Sequence, residues 1–129
     1  MARATAHIGT DDFATRIEVA GRTLIADEPP ENGGKDAGLA PYDLLLSSLA
    51  ACTVITLRMY AARKGWDLKA ADAALHFYRV DGAEFIDRTV TLTGALDEAQ
   101  IARLLEVCER TPVTKTLKSG LTIKTMLAK

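Results

Sequence analysis

Cysteine is scarce in this chain: Cys52 and Cys108, two residues in 129, are too few for a disulfide framework. Their 56-residue separation matches no zinc-ligand spacing. The net charge of −1 and the absence of any Lys/Arg block exclude the electrostatic footprint of a nucleic-acid binder or of a protein drawn to anionic membranes. The longest uncharged run, Leu44 to Leu57, has 14 residues, short of the roughly 20 that a spanning helix needs. Met1 to His7 lack the apolar stretch of a signal peptide. No glycine-rich phosphate loop, Ser-His-Asp order or paired-carboxylate motif stands out, and nothing calls for a cofactor. His7 and His76 are solitary in strand patterns, without the neighbours a metal site needs. These absences predict a cytoplasmic protein of one domain, residues 1–129, with both thiols reduced at rest.

What is present is an alternation of strand and helix signals. Phe13, Thr15, Ile17 and Val19 alternate with smaller or charged residues, the period of a strand. Residues 3–8 and Arg22 to Ala26 complete a three-stranded antiparallel meander across turns at Gly9–Asp12 and Ala20-Gly21. Residues 28–40 carry two prolines and three glycines and predict a long loop, which in a compact domain is often functional. Pro41 suits the first position of a helix and Gly65 its left-handed end. The helix between them is apolar on all sides for four turns, which predicts a buried core helix.

Residues 70–80 and 84–94 predict an antiparallel pair, with Ile86, Val90 and Leu92 on one face. Asp97 with Gln100 resembles a capping box for a second helix, whose core stripe reads Ile101, Leu104, Leu105 and Cys108. Thr111-Pro112 reads as N-cap and first residue of a short third helix, stopping near Ser119-Gly120. Leu121, Ile123 and Thr125 then alternate with Thr122, Lys124 and Met126 in a last strand. The order is β-β-β-α-β-β-α-α-β, an α+β class without a nucleotide-binding βαβ repeat.

Three residues are candidates for chemistry. Cys52 lies about eleven residues into its helix, beyond the reach of the helix dipole, and burial disfavours a thiolate. An active Cys52 therefore needs a cation from elsewhere in the fold. Arg58 does not serve, because it lies about 240° around the same helix. Cys108 completes the apolar stripe of its own helix, and Asp43 sits in the first turn of the Cys52 helix as a partner for its dipole. A thiol peroxidase would use Cys52 to attack and a second thiol to resolve the sulfenic acid.

The segments Ala37-Gly38-Leu39-Ala40-Pro41-Tyr42-Asp43-Leu44-Leu45-Leu46, Leu49-Ala50-Ala51-Cys52-Thr53, Leu57-Arg58-Met59-Tyr60-Ala61 and Lys64-Gly65-Trp66 resemble the OsmC/Ohr family, in particular its OsmC-like branch. The resemblance implies an intertwined homodimer with long central helices wrapped by antiparallel sheets. It also implies reduction of organic hydroperoxides by a reactive cysteine at Cys52, tuned by an Arg and a Glu. In place of the family's resolving cysteine and the histidine of that motif, this chain has Thr111 and Thr114. Cys108, three residues earlier, is the substitute within the chain; an external thiol reductant is the other route. Tyr42 stands where the tuning Glu would be, with Asp43 beside it, and Arg16 and Arg22 are the candidates for the tuning Arg. The leading expectation is a thiol-dependent redox protein acting on organic hydroperoxides. The alternative is a non-catalytic dimer that binds a small apolar ligand or has a stress-related structural role. A cysteine hydrolase ranks last, since no histidine lies near Cys52 in sequence.

Overall fold

The computed structural model describes residues 1–128. Along the chain it forms β1 (Ala4–Ile8), β2 (Thr15–Val19), β3 (Arg22–Ala26), α1 (Pro41–Lys64), β4 (Ala70–Val80), β5 (Ala83–Thr93), α2 (Glu98–Cys108) and α3 (Pro112–Ser119). The chain divides into two compact units, one from Met1 to Leu45 and one from Leu46 onward, with α1 beginning in the first and continuing in the second.

In the first unit β1, β2 and β3 form the expected antiparallel meander, in the order β1-β2-β3. Thr15, Ile17 and Val19 take the less exposed face of β2, as their period-two spacing dictates. The loop after β3 is ordered by one carboxylate. Asp27 is buried and accepts from the amides of Glu28 at 2.7 Å, Lys35 at 3.2 Å and Ala37 at 3.1 Å. These N–H groups, Ala37 foremost, hold its carboxyl below the usual aspartate range against the upward pull of burial. The Asp27 amide in turn donates to the Leu39 carbonyl at 3.1 Å, so both ends of the loop are tied together before Pro41 starts the helix.

In the second unit the core is Leu57 and Ala61 of α1, Leu68, and Leu104, Val107 and Cys108 of α2, with Val90 and Leu92 of β5 packed against it. The α2 capping box is complete: Gln100 N–H donates to Asp97 at 2.8 Å, and Asp97 N–H donates back to Gln100 Oε1 at 3.0 Å. Two features of this unit differ from the pattern read in the sequence. On α2 the buried stripe is Leu104, Val107 and Cys108, while Ile101 and Leu105 stay exposed. The two stripes share Leu104 and Cys108, and the tertiary contact turned the helix toward Val107. On α1 only Leu49, Thr53, Leu57 and Ala61 are buried, one residue per turn. The helix is apolar all round, but a single chain supplies a wall to one side only, and Ile55 and Met59 on the opposite side remain 52% and 60% exposed.

The last expected strand does not form. Residues 121–128 carry no strand pairing and are exposed, with Leu121, Ile123 and Leu127 all at 70% or more. The alternation is real, but a strand needs a partner edge for its backbone groups, and within one chain this segment has none. By length and composition α1 also qualifies as a membrane-crossing helix, with mean hydropathy 1.6 over its most apolar window. The count of uncharged residues missed this, because the helix carries charges such as Asp43 and Arg58 among its apolar residues. A buried core helix meets the same criterion.

Gly94 closes β5 at φ 144°, where a Cβ would overlap the Asp67 carbonyl. Gly94→Ala is expected to lower the unfolding free energy by about 2 kcal/mol or more, read from urea denaturation.

Candidate functional site

Cys52 is half-buried near the middle of α1, and its sulfur lies 3.9 Å from the Thr56 hydroxyl one turn on. Next to it, Thr53 is fully buried and its hydroxyl donates to the Leu49 carbonyl at 2.7 Å, the back-bond that lets a threonine hide inside a helix. The same hydroxyl accepts from Arg88 at 2.9 Å. Arg88 is the residue that the sequence reading missed.

Arg88 comes from β5, at the parity of Ile86, Val90 and Leu92, so its side chain enters the protein with the apolar ones and is only 11% exposed. One terminal nitrogen donates to Thr53 Oγ1 and to Thr114 Oγ1, each at 2.9 Å. The other donates to the Cys108 carbonyl at 2.9 Å and pairs with Glu109 at 3.2 Å. Glu109 is held by Lys118 at 2.6 Å as well, and these two cations, Lys118 first, keep its carboxyl below the usual glutamate range. A charge in the inward register of an alternating strand was the signal in the sequence. A buried guanidinium must be paired to be tolerated, so such a residue marks a polar cluster.

Thr111 and Thr114 complete this cluster. Thr111 is the N-cap of α3 and Pro112 its first residue, as read from the sequence. The Thr111 hydroxyl is fully buried and lies 2.6 Å from that of Thr114, and Thr114 donates on to the Cys108 carbonyl at 3.2 Å. Among the described residues, no buried side-chain nitrogen or oxygen is left without a partner.

The thiol of Cys108 is not part of this polar network. The residue is 3% exposed and packs with Leu57, Ala61, Leu104 and Val107. Burial pushes its pKa up, and the nearby Arg88 charge offsets this only in part. Both cysteines are free. Positions on α1 advance by about 100° per residue, so Cys52 lies about 140° from Leu57 and about 180° from Ala61, the α1 members of the core cluster that holds Cys108.

The Asp43 carboxylate accepts from the Ala40 amide at 3.0 Å, which caps the entry to α1 nine residues before Cys52. On β2 Arg16 pairs with Glu18 at 3.7 Å, and on β3 Arg22 donates to the Ala20 carbonyl at 3.0 Å. Arg58 turns away from Cys52, as the helical angle requires, and its guanidinium donates to the Leu68 carbonyl. His76 stacks on Tyr78 at 5.3 Å between centroids. Among the described residues no group of three His, Cys, Asp or Glu side chains is arranged to hold a metal.

A family model described as OsmC-like protein matches residues 33–126. Solved structures share the fold. An OsmC-like protein from Mycoplasma pneumoniae aligns with TM-score 0.77 at 22% identity, covering 92% of this chain and 87% of its own. The organic hydroperoxide resistance protein OsmC from Legionella pneumophila aligns at 0.65 and 22%, covering 92% and 89%. The organic hydroperoxide resistance protein OhrB of Bacillus subtilis aligns at 0.62 and 20%, covering 92% and 90%. At such identities the likeness establishes the α+β architecture alone. A search of curated protein sequences finds no match.

Replacing Arg88 by Met strips donors from Thr53, Thr114 and the Cys108 carbonyl together. It is expected to cost about 1–3 kcal/mol in urea denaturation. In a Cys52→Ser background it should also speed the reaction of Cys108 with an aromatic disulfide reagent by about tenfold or more. An unchanged rate would show that the cluster does not hold Cys108 in place.

Proposed function

The chain belongs to the OsmC-like protein family, and from that membership we propose that it is a thiol-dependent redox protein whose attacking group is Cys52 and whose oxidant is an organic hydroperoxide. The relatives named for organic hydroperoxide resistance support the choice of oxidant. The observation that carries the choice of residue is the contrast between the two thiols. Cys108 is sealed in a packed core, whereas Cys52 is half-buried, bordered by a hydroxyl at 3.9 Å and by the buried Thr53. A peroxide can approach only the second.

The Cys52 thiolate attacks the terminal oxygen of the hydroperoxide. The S–O bond forms as the O–O bond breaks, and the alkoxide takes a proton and leaves as the alcohol. Sulfur is oxidised by two electrons to a sulfenic acid, which must be reduced back by a thiol. A thiol kept reduced at rest fits the cytoplasm, where we place the protein.

We also propose that it acts as a homodimer. Two exposed apolar surfaces support this: the α1 side bearing Ala51, Ile55 and Met59, and the alternating segment of residues 121–127. A second copy of α1 gives the first a partner, and a sheet edge in the dimer gives the second one. The alternative reading, a non-catalytic dimer that holds a small apolar ligand, draws on the closed Thr111–Thr114 cluster at the positions of the family's resolving cysteine and histidine.

On mixing with cumene hydroperoxide, a sulfenic-acid probe should label the wild type at Cys52, and Cys52→Ser should neither label nor consume peroxide. Peroxide left intact by the wild type would remove the enzyme reading in favour of the non-catalytic one. Light scattering should give twice the chain mass, and charge at the α1 stripe, Ile55→Lys with Met59→Lys, should return the mass to that of one chain. A single-chain mass for the wild type would sink the dimer.

A further inference from the structure

We propose that Cys52 is the sole redox thiol of this chain, and that its oxidised form is consumed by exchange with a small external thiol rather than by any second cysteine of the protein. The inference rests on the proposed reactivity of Cys52 and adds what must follow it in the reaction sequence.

Three observations carry it. The first is direction. Cys108 is 3% exposed, in the same core cluster as Leu57 and Ala61 of α1. Cys52 lies about 140° and 180° around the helix from those residues, and about 7 to 14 Å away along its axis. A disulfide needs Cβ atoms about 3.5–4.5 Å apart. The second is anchoring. The main chain at Cys108 is held in place, because its carbonyl accepts from Arg88 at 2.9 Å and from Thr114 at 3.2 Å. Arg88 is itself fixed by Thr53, Thr114 and Glu109, and Glu109 by Lys118. Moving Cys108 would strand a guanidinium that is 11% exposed. The third is chemistry. Thr111, at the position of the family's second cysteine, has a fully buried hydroxyl engaged with Thr114 at 2.6 Å, and a hydroxyl cannot form a disulfide. Burial also keeps the Cys108 thiol protonated, so it would be a poor nucleophile even if it came within reach.

The remaining route is intermolecular. A small thiol attacks the sulfenic sulfur of Cys52. Hydroxide is displaced, takes the thiol proton and leaves as water, and a mixed disulfide remains on Cys52. A second small thiol attacks the outer sulfur of that bond and frees the Cys52 thiol, releasing the small disulfide. In sum, one hydroperoxide and two thiols give one alcohol, one water and one disulfide. A reaction that reduces small disulfides must therefore operate downstream of this protein.

The test treats the wild-type protein with glutathione disulfide, which needs no peroxide chemistry, and in parallel with cumene hydroperoxide plus glutathione. Both are read by intact mass and peptide mapping without reduction. The expected result with glutathione disulfide is a single glutathione per chain, on Cys52, with Cys108 still a free thiol. A disulfide from Cys52 to Cys108, within a chain or between two, overturns the proposal, and so does the absence of any adduct. If the glutathione-disulfide arm succeeds and peroxide leaves Cys52 unchanged, it is the hydroperoxide reading that fails, while the exchange chemistry stands. As a second variant, Cys108→Ala should turn over peroxide with glutathione within about twofold of wild type. A loss of tenfold or more, with the thermal midpoint kept, would return a resolving role to Cys108.

Discussion

The second unit of this protein is organised by the need to satisfy one buried cation. A guanidinium removed from water must find acceptors in several directions, or its desolvation cost goes unmet. Arg88 finds them on α1 through Thr53, at the end of α2 through the Cys108 carbonyl, just beyond it at Glu109, and on α3 through Thr114. Each acceptor is in place only if its own element is. The α2–α3 corner therefore cannot move relative to β5 or to the middle of α1 without breaking several charge-assisted bonds at once. The apolar core of Leu57, Ala61, Leu104 and Val107 supplies burial, which is not directional, and Arg88 supplies direction.

This division explains what could be read from the sequence. Local rules placed α1 at Pro41 to Lys64, the Asp97–Gln100 capping box and the Thr111-Pro112 start of α3, because each depends on residues within one turn of one another. The β4–β5 pair follows from period-two alternation around Asp81-Gly82. Rules of this kind fail where the partner is distant. The face of α2 that is buried, Val107 rather than Ile101, depends on what packs against it. The segment of residues 121–126 has the alternation of a strand, but alternation specifies a face and supplies no edge to pair with. The apolar surplus of α1 reads as burial, although within one chain only Leu49, Thr53, Leu57 and Ala61 find it.

The candidate site shows the same limit. Cys52 and Cys108 look alike in sequence, each a thiol in an apolar helical pattern, and periodicity cannot rank them. Depth can. Burial disfavours the sealed thiol as a thiolate, while the half-buried one is partly exposed and has a hydroxyl neighbour. The Asp43 carboxylate accepts from the Ala40 amide at the helix entry, a local contact that its place in the first turn of α1 made legible. Arg88 was visible only as an exception, a charge at the inward parity of β5. Exceptions to a binary pattern are where a sequence departs from packing alone, so they repay a search for partners.

The threonines at positions 111 and 114 then acquire a physical meaning. Thr111 accepts from the Thr114 amide as an N-cap while its hydroxyl meets that of Thr114, and Thr114 links Arg88 to the Cys108 carbonyl. A thiol at position 111 is a weak hydrogen-bonding group and would make a poorer cap than the Thr111 hydroxyl. Both threonines thus serve the same end: Thr114 accepts from Arg88, and Thr111 holds Thr114 in place. In this chain the Arg88 guanidinium occupies that corner and fixes the structure there.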